Sequence, residues 1–324
     1  MLNRLICIIA IALTFSGTGI AHAQSFDVGL EQFDDEDYED AALTFYDVAS
    51  RDPDANARNE SLVYLAFTLE RMGFWAPASF YYQVILEDGP GNRRWTNALE
   101  QLLNIQEKYR DHIFVDTLVD RNFDGRAFGK VLKGNKIDQV NYLLGALYLR
   151  QGKARRAQQF LEFVRPESRY YPDGQYLLGI TSLSQGKAEA AAGHFQAVVQ
   201  NIDPDTSDDD LLRVRQLALL AKARSAYGVG RYEDAIKGFG EIPRYSEFWF
   251  RALYEQAWAH YQEQKYGAAL GALESVLSPY FAKRHVPEAY VIQGTSYFTY
   301  CQWDRVRRSV DRYKELYEPM KKQL

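Results

Sequence analysis

Self-similarity at a period of about 34 residues constrains this chain more than any other feature, because it marks stacked repeats. Leu143-Leu144-Gly145, followed by Gln151-Gly152-Lys153-Ala154, returns as Leu177-Leu178-Gly179 and Gln185-Gly186-Lys187-Ala188. Ala157/Ala191 and Val164/Val198 keep that offset, and Tyr232 with Ala235 recurs as Tyr266 with Ala269. The physical content is helix packing. A Gly or Ala near the middle of one helix lets its backbone approach the next. An Ala one turn into the second helix does the same from the other side, and a large residue one turn further on fills the space. Neither helix buries its apolar stripe alone, so units must stack.

Seven units can be laid down this way. They are marked by Gly29/Ala41/Phe45, Ala66/Ala78/Tyr82, Gly145/Ala157/Leu161, Gly179/Ala191/Phe195, Ala223/Ala235/Phe239, Ala257/Ala269/Leu273 and Gly294/Val306/Val310. The first and last depart most: Gln32 stands where an aromatic belongs, and Val306 replaces the small alanine. Atypical end units suit capping. These residues resemble the tetratricopeptide repeat, over most of residues 25–319. The resemblance implies an all-α fold, a right-handed α-solenoid of antiparallel helix pairs. Within it, residues 24–90 hold N-terminal repeats, 91–134 a divergent helical pair, and 135–324 further repeats with a capping helix. In the divergent part Trp95, Leu99, Leu102, Leu103 and Ile105 share one stripe. Residues 203–210 are a solvated acidic loop whose Asp208–Asp210 suit the start of the following helix.

Residues 1–23 read as a secretory signal: Arg4, an apolar run from Leu5 to Phe15, a helix-breaking stretch, and Ala21-His22-Ala23 as a cleavage site. The expected protein is therefore exported, periplasmic and cleaved near Ala23. Removing Cys7 with the signal leaves Cys301 alone, so stability must come from packing. Cys301 is expected to be a small buried residue. The chain has 324 residues and a net charge of -5, which argues against nucleic acid as a partner. Its 23 Tyr and 18 Phe are in part the large half of the packing code.

No catalytic constellation stands out: there is no Gly-x-Ser-x-Gly elbow, no His-Glu-x-x-His and no phosphate-binding loop. His112, His194, His260 and His285 are scattered, and a packed structural role is expected for His260. The chain is expected to be non-enzymatic and without a cofactor, with calcium the one candidate to weigh. Asp120-Arg121-Asn122-Phe123-Asp124-Gly125 matches the opening half of a calcium loop, offering oxygens from Asp120, Asn122 and Asp124. The position for the closing Glu is Val131, and the seventh is Arg126; both weaken such a site. The competing reading is an Asp/Asn/Gly turn between helices. Six carboxylates lie within residues 34–40, read as a solvated turn, whereas residues 305–324 carry seven Lys/Arg against three Asp/Glu. Opposite ends of opposite sign suit head-to-tail association or docking to an acidic surface, so any membrane contact is peripheral.

The resemblance also implies a concave face lined by the first helix of each unit, taking a protein or peptide partner. Carried over position by position, that face holds Tyr142, Tyr176, Arg224, Tyr227, Arg251, Tyr254, Trp258 and Tyr261, with Phe298 in the last unit. The Lys/Asn set that clamps a C-terminal carboxylate in some relatives is absent. Tyr254, Trp258 and Tyr261 share one helical face, so all three should line the groove or all three should be buried. The inter-repeat loops Tyr170-Tyr171-Pro172, Tyr245 to Phe250 and Ser278-Pro279-Tyr280-Phe281 read as structural joints. Loop style and helix wording are similar to exported repeat proteins of predatory and gliding Gram-negative bacteria, some belonging to motility machines of the envelope. The resulting expectation is a periplasmic scaffold for protein–protein interaction in a cell-envelope complex. A carrier or chaperone-like module for exported peptides, or a peptidoglycan/glycan binder, are the alternatives.

Overall fold

A computed structural model describes residues 25–109 and 114–321. The proposed signal segment, Cys7 and His112 lie outside the described residues. Every regular element among those described is a helix. The chain forms two compact units, divided between residues 105 and 106. The first unit holds α1 (Phe26–Asp34), α2 (Tyr38–Arg51), α3 (Ala55–Arg71), α4 (Trp75–Glu87) and the start of α5 (Trp95–Tyr109). The second holds the end of α5, then α6 (Phe114–Arg121), α7 (Gly125–Val131), α8 (Asn135–Arg150), α9 (Ala154–Leu161), α10 (Tyr171–Ser184) and α11 (Ala188–Asn201). It continues through α12 (Asp209–Gly228), α13 (Tyr232–Gly240), α14 (Trp249–Gln262), α15 (Tyr266–Val276), α16 (Pro287–Thr299) and α17 (Trp303–Lys321). Seven antiparallel pairs result among the described residues, from α1/α2 to α16/α17, each the unit read from the sequence. This is an all-α solenoid. Residues 91–134 differ from the expected pair: they form three helices, α5 to α7, because Asp124 caps a new helix by accepting from the Arg126 and Ala127 amides.

The small–large code appears as a fixed offset between facing helices, the same from Gly29 to Phe45 as from Gly145 to Leu161 and from Gly179 to Phe195. A Cβ added to any of these three glycines would come closer than 3.0 Å to its large partner. In other units alanine suffices: Ala223 and Phe239 share one core cluster, and Ala257 and Leu273 another. The second-helix alanines, Ala41, Ala78, Ala157, Ala191, Ala235 and Ala269, are completely buried. Their burial is what lets paired backbones approach. The stripe Trp95, Leu99, Leu102, Leu103 and Ile105 is buried as expected.

Each pair turns through the same cap. The amide of Gly152 reaches the Leu149 carbonyl, and that of Lys153 reaches back to Tyr148 at 2.8 Å. The equivalent long bond recurs at Asp37, Phe74, Lys187, Arg231, Lys265 and Gln302. This is the cap in which one residue adopts a left-handed conformation. Glycine fills that place at Gly73, Gly152, Gly186 and Gly230, whereas Glu36, Gln264 and Cys301 occupy it with positive φ. Cys301 is thereby exposed, contrary to the buried position expected for it. It sits at the tip of a turn whose geometry points its side chain outward. Gln264→Gly should raise stability by about 0.5–1 kcal/mol, since it relieves a left-handed side chain, and Gly186→Ala should cost at least as much. Chemical denaturation of both variants checks the pair; equal stabilities would refute the cap assignment.

Asp208 caps α12 as read from the sequence, accepting from the Asp210 and Leu211 amides. Of residues 34–40 all are exposed save the half-buried Tyr38. Among the described residues no helix is long and apolar enough to cross a membrane.

Candidate functional site

The first helices α8, α10, α12, α14 and α16 of the second unit carry the proposed partner residues. Their exposure follows residue type. Arg224 and Arg251 are exposed, whereas Tyr142, Tyr176, Tyr227, Tyr254, Trp258 and Tyr261 are all half-buried. A long stripe of rings on an amphipathic helix meets this compromise naturally: one edge packs on the neighbouring pair and the other meets water.

At the centre lies an ion pair between neighbouring units. Arg224 on α12 grips Glu255 on α14 through both ends of its guanidinium, Nε donating to Oε2 at 2.6 Å and Nη2 to Oε1. That hydrogen bond holds the Arg224 pKa above its usual value. Tyr176 on α10 packs on Phe195, with ring centroids 5.6 Å apart. Burial raises its phenol pKa while the Arg224 charge pulls it down, which places the two side chains in one field. On α14, Tyr254, Trp258 and Tyr261 rest on the cluster of Ala257, Leu273, Val276, Ala289 and Ile292. Trp258 meets Tyr261 edge-on at 6.2 Å. The three share one face, as expected, yet neither alternative holds in full: they line the face and contribute to the core together. Tyr227 meets the Tyr232 ring edge-on at 5.4 Å. Arg251 makes no ion pair among the described residues. Sequence reasoning missed Glu255, which lies in the repeat after that of its partner; only the helix stacking brings the two together.

Two proposed positions stand apart. Tyr142 stacks on Tyr170 at 5.6 Å and 24°, beside a cleft of about 740 Å³ where Glu107 holds both Lys136 and Arg169. Phe298 is 58% exposed and meets Trp303 edge-on at 5.0 Å.

The residues of the calcium-like motif have protein partners. Asp120 accepts from the Tyr148 hydroxyl, Asn122 donates to the Leu118 carbonyl at 2.9 Å, and Asp124 caps α7. Among the described residues no group of three or more His, Cys, Asp or Glu gathers as a metal site would require. Two histidines are packed: His194 Nδ1 meets Gln175 at 2.8 Å, and burial lowers the pKa of both His194 and His260, whereas His285 is exposed.

Stacked helix pairs bearing a face of aromatic rings around a charged pair define a helical-repeat scaffold for protein–protein interaction. Residues 142–206 and 220–280 match the family model described as tetratricopeptide repeat. No curated protein matches the sequence. Solved structures with similar folds include a tetratricopeptide repeat protein from Parabacteroides merdae, 15% identical with a TM-score of 0.46, covering 82% of this chain and 96% of that one. The C-terminal part of a TPR repeat-containing protein from Cytophaga hutchinsonii is 12% identical with a TM-score of 0.49, covering 90% and 95%. Pseudomonas aeruginosa pilF is 14% identical with a TM-score of 0.45, covering 69% and 92%.

Proposed function

We propose that this protein is a non-enzymatic periplasmic scaffold, exported by residues 1–23, that holds a cell-envelope complex together. It binds a segment of a partner protein along the first-helix face of α10, α12 and α14. A motility machine is the first such complex to test. One observation carries the reading: the Arg224–Glu255 pair shares its electrostatic field with half-buried Tyr176, Tyr227 and Tyr254, and Trp258 continues the face of Tyr254 one turn on. Rings of this kind offer large contact area at low entropy cost, and Arg, Tyr and Trp dominate the energy of protein interfaces. Arg251, exposed and without an ion-pair partner among the described residues, sits beside them as a further cation.

The test is a photo-crosslinker in place of Arg251, used in intact cells and read by mass spectrometry. The expected result is one or a few partners at fixed ratio, with the yield cut at least tenfold by Arg224→Glu. Weak capture of many unrelated sequences would instead mark a carrier of exported peptides, and co-sedimentation with isolated cell wall a glycan binder. Either result overturns the scaffold.

The Asp120 loop we assign to helix termination without calcium, because its oxygens already serve Tyr148 and the start of α7. Melting should be unchanged at millimolar calcium. A calcium-dependent rise in Tm that vanishes in Asp120→Ala would overturn that assignment.

A further inference from the structure

At the start of α14, two successive inter-repeat loops bring five aromatic rings together. Tyr245 leaves the loop after α13, Trp249 and Phe250 open α14, and Tyr280 and Phe281 lie in a short 3-10 turn, Pro279–Phe281. Tyr245 meets Trp249 at 4.9 Å and Tyr280 at 6.1 Å; Phe281 meets Tyr280 at 4.7 Å and Phe250 at 4.9 Å. The rings border a cleft of about 470 Å³.

A ring that served only to join two repeats would be covered, and the matching place in the loop before α10 holds Glu167, not a ring. Here Tyr245 is 73% and Tyr280 66% exposed. Tyr245 also has φ +67°, and it is the one residue other than glycine with positive φ outside the seven helix-pair turns among the described residues. A bulky side chain in the left-handed region is uncommon, and such strain gathers at functional sites.

The charge of the cleft is one-sided. Its carboxylate, Glu247, is already paired with Arg213 at 2.8 Å. Lys283 and Arg284 line the same cleft; the Arg284 guanidinium lies 5.8 Å from the centre of the Phe250 ring, and Lys283 has no carboxylate partner among the described residues. Exposed rings beside uncompensated cations suit a ligand that is both acidic and apolar.

We infer that this cleft is a second docking site, which takes an extended acidic segment of a partner protein with proline or aromatic residues between its carboxylates. Lys283 and Arg284 receive the carboxylates, and Tyr245, Trp249 and Tyr280 receive the apolar side chains. Edge-to-face rings leave short grooves between them, which suit an extended chain better than the flat platform a sugar ring requires.

The probe is a fluorescein-labelled peptide of alternating Glu, Pro and Tyr, measured by anisotropy against the full chain, with a Lys-for-Glu peptide as its counterpart. The acidic peptide should bind at least tenfold more tightly than the basic one. Lys283→Glu with Arg284→Glu should weaken it at least tenfold, and so should Tyr280→Ala. Tyr245→Gly guards against misfolding, because glycine accepts this φ: melting should hold or rise while binding falls. Arg224→Glu should leave binding unchanged, which separates this cleft from the first-helix face. Equal affinity for the two peptides overturns the inference. So does binding that survives the charge reversal, or displacement of the peptide by polygalacturonate at lower carboxylate concentration than by unlabelled peptide.

Discussion

Replacing Phe195 by alanine is expected to cost about 4 kcal/mol, the usual loss for a fully buried aromatic side chain. The ring lies over Gly179 on the facing helix, in the place where a Cβ would otherwise stand. Gly179→Ala should therefore also destabilise, by about 1–2 kcal/mol, because overpacking outweighs the roughly 1 kcal/mol that alanine gains in a helix. The test of the code is the double variant Gly179→Ala with Phe195→Leu. If the two residues fill one space, its cost should fall short of the summed single costs by about 1 kcal/mol or more. Urea titration of Phe195→Ala, Gly179→Ala, Phe195→Leu alone and the double variant gives the four values. Simple additivity, or a loss under about 1 kcal/mol for Phe195→Ala, would show that the constant offset between small and large residues is incidental.

Alkaline solution should unfold this protein well before its arginines titrate. Tyr148 is almost fully buried, and its phenol pKa is pushed up to about 12, by burial first and then by the hydrogen bond and charge of Asp120. Tyr170 is also raised to about 12, by burial and then by the Glu107 charge. Tyr82 is raised further, by burial and then by Glu70. An acid whose folded pKa lies above its unfolded value keeps its proton more firmly when folded. The stability so conferred is complete below about pH 10, where the unfolded phenol begins to ionise, and is lost between about pH 10 and 12. The urea midpoint should be level from pH 7.5 to 9.5 and then fall steeply. Tyr148→Phe, which has no proton to lose there, should flatten part of that fall. A profile unchanged by Tyr148→Phe would mean that the phenol does not report on folding.

Much of the architecture was legible because the repeat code is local. Gly145 and Leu161, or Ala257 and Leu273, lie in adjacent helices of one unit, so their pairing is written at a constant spacing. The left-handed turn was legible only where glycine marks it. Glu36, Gln264 and Cys301 take the same conformation without any residue preference for it, because the two helices they join are already packed. Cys301 was expected to be buried for want of that information. Residues 91–134 hid their third helix for a related reason: Asp124 read as a ligand in a loop, although its carboxylate caps a helix.

The chain by itself determined the seven helix pairs and their order, since each follows from side-chain volume at fixed separation. It also determined which rings lie on first helices, since helical periodicity assigns a residue to a face. The degree of burial of those rings was decided only by the tertiary structure. Exposure depends on the neighbouring helix pair and on loop conformation, and both are set by contacts distant in sequence. Glu255 thus answers Arg224 from the next repeat. Tyr170 and Tyr245, both in inter-repeat loops, end one half-buried against Tyr142 and the other facing water.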